Sequence, residues 1–148
     1  MPTPKDIVEN LRNRDFWFDD VSSQYQEALI AYGLQQNSPI VEFYVHAEGS
    51  PNFVTPRGEL LQIAWALLNP SYRNNSVVLR KSLGLDDDFV FLDSFEGEGG
   101  YVYRKESGSV VELKIFNDGN SRKEWVNFND FLRYFFDMFD VKEKKVLC

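Results

Sequence analysis

The chain carries one histidine, His46, with Glu42 one helical turn before it and Glu48 two residues after it. A glutamate–histidine couple can relay protons or ligate a metal, but hydrolysis also needs a nucleophile, and none is marked. No Gly-x-Ser-x-Gly elbow occurs, and a serine triad would have to use this same histidine. His46 therefore reads first as a structural or surface residue. A hydrolase using His46 and a nearby carboxylate is the minor alternative.

Two other clusters invite a chemical reading. Gly97-Glu98-Gly99-Gly100 has the look of nucleotide-binding glycines, yet the fingerprint places a third glycine where Val102 stands and a helix, not a strand, behind it. Two glutamates beside those glycines would also repel phosphate. Asp86, Asp87 and Asp88 with Glu96 and Glu98 form the densest acidic set. They flank opposite ends of one expected strand, so a single metal is not within easy reach of all five, and the calcium-loop pattern is absent. Solvated surface is the plain reading and a partner-facing acidic surface the sharper one. The only cysteine, Cys148, is the last residue, which rules out an internal disulfide, a cysteine metal cage and a prenylation motif. Asn74-Asn75-Ser76 fits a glycosylation acceptor but reads as coincidence without a secretion signal. The expectation is no catalytic residues, no metal and no cofactor.

These groups hang on a stretch from Phe89 to Phe116 that reads as three antiparallel strands, Phe89–Phe95, Tyr101–Arg104 and Ser109–Phe116. The turns are Glu96-Gly97-Glu98-Gly99-Gly100 and Lys105-Glu106-Ser107-Gly108. In the third strand Val111, Leu113 and Ile115 alternate with Glu112 and Lys114, which predicts one covered face and one wet face. The strongest helix signal is Phe128, Phe131, Leu132, Phe135, Phe136 and Phe139, an aromatic stripe that should lie on the covered face, capped by Asn127 or Asn129.

Ahead of the meander, Ile7, Val8 and Leu11 predict a short helix after Pro4. Phe16-Trp17-Phe18 between acidic residues either docks this segment or offers an exposed patch. A second helix should start at Ser22 or Ser23, and a third at Ser38-Pro39 and end at Gly49, with a strand over Ile40–His46 as the alternative. A short strand is expected near Asn52–Thr55. The run Glu59–Leu68 fits strand or helix, Asn69-Pro70 breaks it, and Val77 to Leu83 predicts a short helix stopped by Gly84. Asn117-Asp118-Gly119-Asn120 reads as a turn, and Lys142–Lys145 as a charged tail.

At 148 residues, with 43% hydrophobic content and thirteen phenylalanines, the chain fits one domain with a substantial core, about residues 7–140 of 1–148. No apolar run approaches the roughly 20 residues of a spanning helix, and no signal peptide is evident, so a cytoplasmic protein is expected. The net charge of −7 disfavours nucleic acid and favours a basic partner.

The order of parts resembles the SUKH superfamily, also called the Smi/Knr family. The likeness rests on a leading helix pair, Glu42-Phe43-Tyr44 running to Gly49, Tyr101-Val102-Tyr103, Ser107-Gly108-Ser109-Val110-Val111 and the closing Asn127-Phe128-Asn129-Asp130-Phe131-Leu132. That family typically closes on Ser-Phe-x-x-Phe-Leu, where this chain has Asn127. Its leading Leu-Pro-x-x-Tyr is replaced by Val21-Ser22-Ser23-Gln24-Tyr25. The likeness spans about residues 20–140 and consists of packing motifs. It implies an α+β domain with N-terminal helices, a central meander and a C-terminal helix on the sheet. It further implies a non-enzymatic immunity protein that binds a bacterial toxin of nuclease or deaminase type, or else a regulatory scaffold like the fungal relatives. The surface expected to meet a basic toxin domain comprises Asp86, Asp87, Asp88, Glu96 and Glu98, with Tyr101 and Tyr103 as aromatic anchors. No nucleic acid or membrane partner is expected, and homo-oligomerisation stays open.

Overall fold

The computed structural model describes residues 3–49, 52–95, 99–114 and 123–138. The expected features at Glu96, Glu98, Ile115, Phe116, Asn117–Asn120, Phe139 and the charged tail with Cys148 lie outside the described residues. Within them the chain is α+β. Three helices lead, α1 (Lys5–Asn13), α2 (Ser23–Ala31) and α3 (Pro39–His46), followed by the strand pair β1 (Phe53–Thr55) and β2 (Gly58–Leu60). Then come α4 (Ile63–Leu67), α5 (Pro70–Leu83), β3 (Phe89–Phe91), β4 (Gly99–Arg104), β5 (Val110–Lys114), β6 (Glu124–Trp125) and α6 (Phe128–Phe135). The strands β3-β4-β5-β6 form an antiparallel sheet in sequence order.

Helix starts follow their caps. The Ser22 side chain accepts from the Tyr25 amide, and Asn127 from that of Asp130, each satisfying an amide that the first helical turn cannot. Asn69-Pro70 opens a helix as well as breaking one: Asn69 caps Ser71, Pro70 sits in the first turn, and α5 runs on to Gly84 at φ 70°. The helix expected from Val77 is thus a full turn and more longer at its start.

The undecided run Glu59–Leu68 resolves into both structures, with Gln62 as the joint. Gln62 is fully buried; its Oε1 accepts from the Ala64 amide at 2.9 Å, while its Nε2 donates to the carbonyls of Tyr44 and Ala47. One side chain thereby caps α4 and satisfies the end of α3. Gly49 does not terminate α3. The helix stops at His46 because Ala47 turns extended (ψ 140°) and pairs with Trp17, and Glu48 N–H donates to Phe16 O at 2.8 Å. This pairing also docks the aromatic knot. Phe16 and Trp17 pack on the core, leaving Phe18 exposed.

The meander corrects the expected faces. Val90, Leu92, Tyr101, Tyr103 and Val110 join the main core with Phe128, Phe131 and Phe135 of α6. Register pairs Tyr101 with Glu112, so Glu112 lies on the side that α6 covers, not opposite it. The other face is not free either. Phe91, Val102 and Val111 form a second cluster with Leu79, Leu83 and Leu113, and the Tyr72 hydroxyl donates to Phe91 O at 2.5 Å, holding α5 against it. Alternation in β5 is real, but it separates two covered sides.

The α6 stripe is the main packing element: Phe131 meets Tyr101 at 5.0 Å and Trp125 at 5.2 Å between ring centroids, and its members Phe128, Phe131, Leu132, Phe135 and Phe136 are all buried. Phe131→Ala is expected to cost about 3–5 kcal/mol of unfolding free energy, against about 1 kcal/mol for Asn127→Ala at the cap. Urea denaturation of both variants checks the order; a smaller loss for Phe131→Ala than for the cap would refute this account.

Candidate functional site

Beyond β3 the chain keeps one more pairing, Leu92 N–H to Tyr101 O at 2.9 Å, and then turns at Asp93. Asp93 Oδ1 accepts from the Phe95 amide at 2.9 Å and Oδ2 from the Tyr101 amide at 3.2 Å. The first bond is the side-chain turn that aspartate makes with the amide two residues on, and it accompanies a positive φ of 55° at Phe95. The second ties that turn to the start of β4. A Cβ at Gly100 would overlap the Asp93 carboxylate, so the backbone there approaches the acid more closely than any other residue type would allow.

Asp93 lies in a cleft of about 360 Å³, lined also by Glu59 of β2, Glu112 of β5, Arg57, Ser94, Tyr101 and Lys114. Glu59 is held at both oxygens, by Asn52 Nδ2 at 3.2 Å and Ser94 Oγ at 3.3 Å. The Arg57 guanidinium is turned to the Tyr134 ring, 4.8 Å from its centroid, and to Asp137 at 3.5 Å. Its carbonyl accepts from the Tyr101 hydroxyl at 2.8 Å. Lys114 stands exposed at the rim.

Burial raises the pKa of Asp93 first, and Glu59 and Glu112 raise it further. The two amide donors pull the other way, and the balance places the group at about 7. Tyr101 is also raised, by burial and by Tyr134. Chemically the cleft can hold a proton at Asp93 or receive a positive group among three carboxylates. Among the described residues no three of His, Cys, Asp and Glu are placed to hold a metal ion.

The structure separates the sequence-predicted site residues. Asp88 is a clamp: Oδ2 pairs with Arg104 Nε at 3.1 Å and Oδ1 accepts from the Glu106 amide at 2.7 Å, fastening the β4–β5 hairpin. Asp86 Oδ1 accepts from the Asp88 amide, and Asp86 and Asp87 are exposed. Tyr101 and Tyr103, expected as exposed anchors, are 4% and 5% exposed because they sit on the face that α6 covers. Glu96 and Glu98 lie outside the described residues. The Nδ1–H of His46 donates to Phe18 O at 2.7 Å, and its ring stacks on Trp17 at 4.6 Å, so it orders the N-terminal segment. Asp93, Glu59 and Glu112 were missed by sequence reasoning. The available signal was an aspartate just ahead of a glycine-dense turn.

A carboxyl whose folded pKa stands above its ordinary 3.8 contributes stability that is fully present below that value and is lost as pH rises through about 7. Asparagine cannot ionise, so wild type should lose on the order of 3 kcal/mol relative to Asp93→Asn between pH 4 and pH 8. Denaturant titrations at several pH values measure this; parallel curves for the two proteins would contradict it. Comparison with known proteins adds no neighbour: no family model, no curated protein and no solved structure matches the chain.

Proposed function

We propose that this chain is a non-enzymatic protein-binding module, an immunity protein that binds and neutralises a basic bacterial toxin domain, of nuclease or deaminase type, at the Asp93 cleft. The reading is carried by one observation: Glu59, Asp93 and Glu112 line one opening whose guanidinium, Arg57, is turned to Tyr134 and Asp137 and whose lysine, Lys114, is exposed. Such a cleft suits the lysine or arginine side chain of a partner, and the net charge of −7 adds long-range attraction. The resemblance of the helix order and closing phenylalanine helix to the SUKH superfamily supports the immunity role.

The test is co-expression with the toxin candidate encoded beside the gene. Wild type should restore growth and form an isolable complex. Glu59→Lys with Glu112→Lys should weaken the complex by on the order of tenfold or more, chiefly through slower association with a steep salt dependence. Failure of wild type both to rescue growth and to bind would refute the role, and equal affinity of the double variant would remove the cleft from it.

A further inference from the structure

From Leu60 to Leu85 the chain contains no Asp or Glu, although it has 23 of them in 148 residues. That stretch builds α4 and α5, which pack against each other. Its charged side chains are Arg73, Arg80 and Lys81, all on α5. Arg80 is spent inside the fold, donating to the Tyr32 hydroxyl at 3.2 Å and to Phe89 O at 3.3 Å. Arg73 and Lys81 are exposed and meet no carboxylate among the described residues. A chain of net charge −7 thus carries an outward helix face of the opposite sign.

The same face is apolar. Ser76, Leu79 and Leu83 of α5 turn inward, and the Tyr72 hydroxyl holds the helix to Phe91 O. On the outward side Arg73, Val77 and Lys81 follow one another at steps of four, with Val78 beside Val77. Val77 and Val78 are 57% and 66% exposed. Valine is a poorer helix former than alanine, lysine or glutamine, so two in succession on a solvent face contribute nothing to the free fold. On α4, Trp65 and Leu68 stand three positions apart and are exposed as well. Four of the nine large apolar side chains left exposed among the described residues therefore fall in the one stretch without acids, which marks it as a surface with a use.

Charge decides what covers this face. A second copy docking α5 on α5 would set the cations of one helix against those of the other, in either orientation. An anionic membrane would meet only two cations and two valines, and it would repel the acidic remainder of the chain. We propose that the outward face of α5 docks an acidic amphipathic helix of a protein partner, with its apolar residues seated on Val77 and Val78 and its carboxylates paired with Arg73 and Lys81. The two cations are eight positions apart, about 12 Å along the axis at roughly 1.5 Å per residue. A partner helix lying along α5 matches them with acids at the same spacing and an apolar side chain midway. This face shares no residue with the acidic cleft at Asp93 and is opposite to it in charge, so it selects a second class of partner.

The test is an amide-resolved NMR titration of the full chain, to millimolar concentration, with a blocked alanine-based peptide of about 20 residues, long enough to form a helix. The peptide carries two glutamates eight positions apart with leucines between them, and its twin has lysine in place of both glutamates. The glutamate peptide should shift the amides of residues 73–82, and the lysine peptide should leave them in place. Arg73→Glu with Lys81→Glu, both at exposed positions, should reverse that preference at an unchanged thermal midpoint. Val78→Ser should weaken the glutamate peptide roughly 3- to 10-fold and serves should the charge-reversed variant unfold. The proposal is overturned by the absence of shifts with the glutamate peptide, by equal shifts with both peptides, or by a preference that the charge reversal leaves unchanged. It is overturned equally by a dimer in sedimentation equilibrium that Val78→Ser dissolves, or by co-sedimentation of the protein with phosphatidylserine vesicles through this face.

Discussion

Everything in this molecule is referred to the seating of the α6 phenylalanines on the tyrosine side of β4. Phe131 and Phe135 close on Tyr101, and Phe128 on Tyr103, with ring centroids 5.0 to 6.1 Å apart. Because side chains alternate along a strand, committing these two tyrosines to one core commits Val102 to the other, where α5 waits. A slip of one residue would exchange the two sets, so burial on both sides pins the register. Once β4 is pinned, its ends are pinned too. Gly100 is brought against Asp93 at one end, and Tyr103 carries its hydroxyl under Gly108 at the other.

Two aspartates show how little residue type says about role. Asp88 and Asp93 bracket β3 at a similar distance, and both accept backbone amide hydrogens. Asp88 also meets Arg104, so its charge is answered and it serves the hairpin. Asp93 shares its cleft with Glu59 from β2 and Glu112 from β5, which oppose its charge, and with Arg57 and Lys114. Among the described residues no cation pairs with Asp93 as Arg104 does with Asp88, and burial then favours the proton over the charge.

What could be read from the sequence is what short segments decide for themselves. The caps at Ser22, Asn127 and Gly84, the proline start of α3 and the described part of the aromatic stripe of α6 depend on residues within a turn or two, and all stand where the spacing put them, whereas Asn69-Pro70 reads only as a break and starts α5 instead. The end of α3 did not, because Ala47 is pulled extended by Trp17, thirty positions earlier in the chain. The faces of β5 were misread for a related reason. Alternation shows that two sides differ, not which helix covers each, and Leu113 faces α5 while Glu112 faces the cleft below α6. The cleft itself was illegible. Its three carboxylates come from β2, the end of β3 and β5, separated by 34 and 19 residues, and they meet only because the strand order sets β5 near β3 and the Leu61 N–H bond to Leu92 O lays the separate β1-β2 pair beside them.

The position of Asp93 bears on the binding reading through what a purely structural residue would require. Two amides two and eight positions beyond Asp93, those of Phe95 and Tyr101, need two separate acceptor oxygens, and among side chains only a carboxylate supplies both without a donor in between. Architecture therefore accounts for an aspartate at 93. It accounts in part for Glu59, which receives the Ser94 hydroxyl of the same turn, but not for Glu112 facing the same opening, and each of the two raises the cost of ionising Asp93. Neutral residues at 59 and 112 would make the resting fold less strained electrostatically. Carboxylates collected around a recess lower their mutual repulsion when a positive group enters it, and the acidity that is a liability in the free protein becomes affinity in a complex. On that argument the proposed docking of a basic side chain and the proton held near neutrality at Asp93 are two responses to one local excess of negative charge.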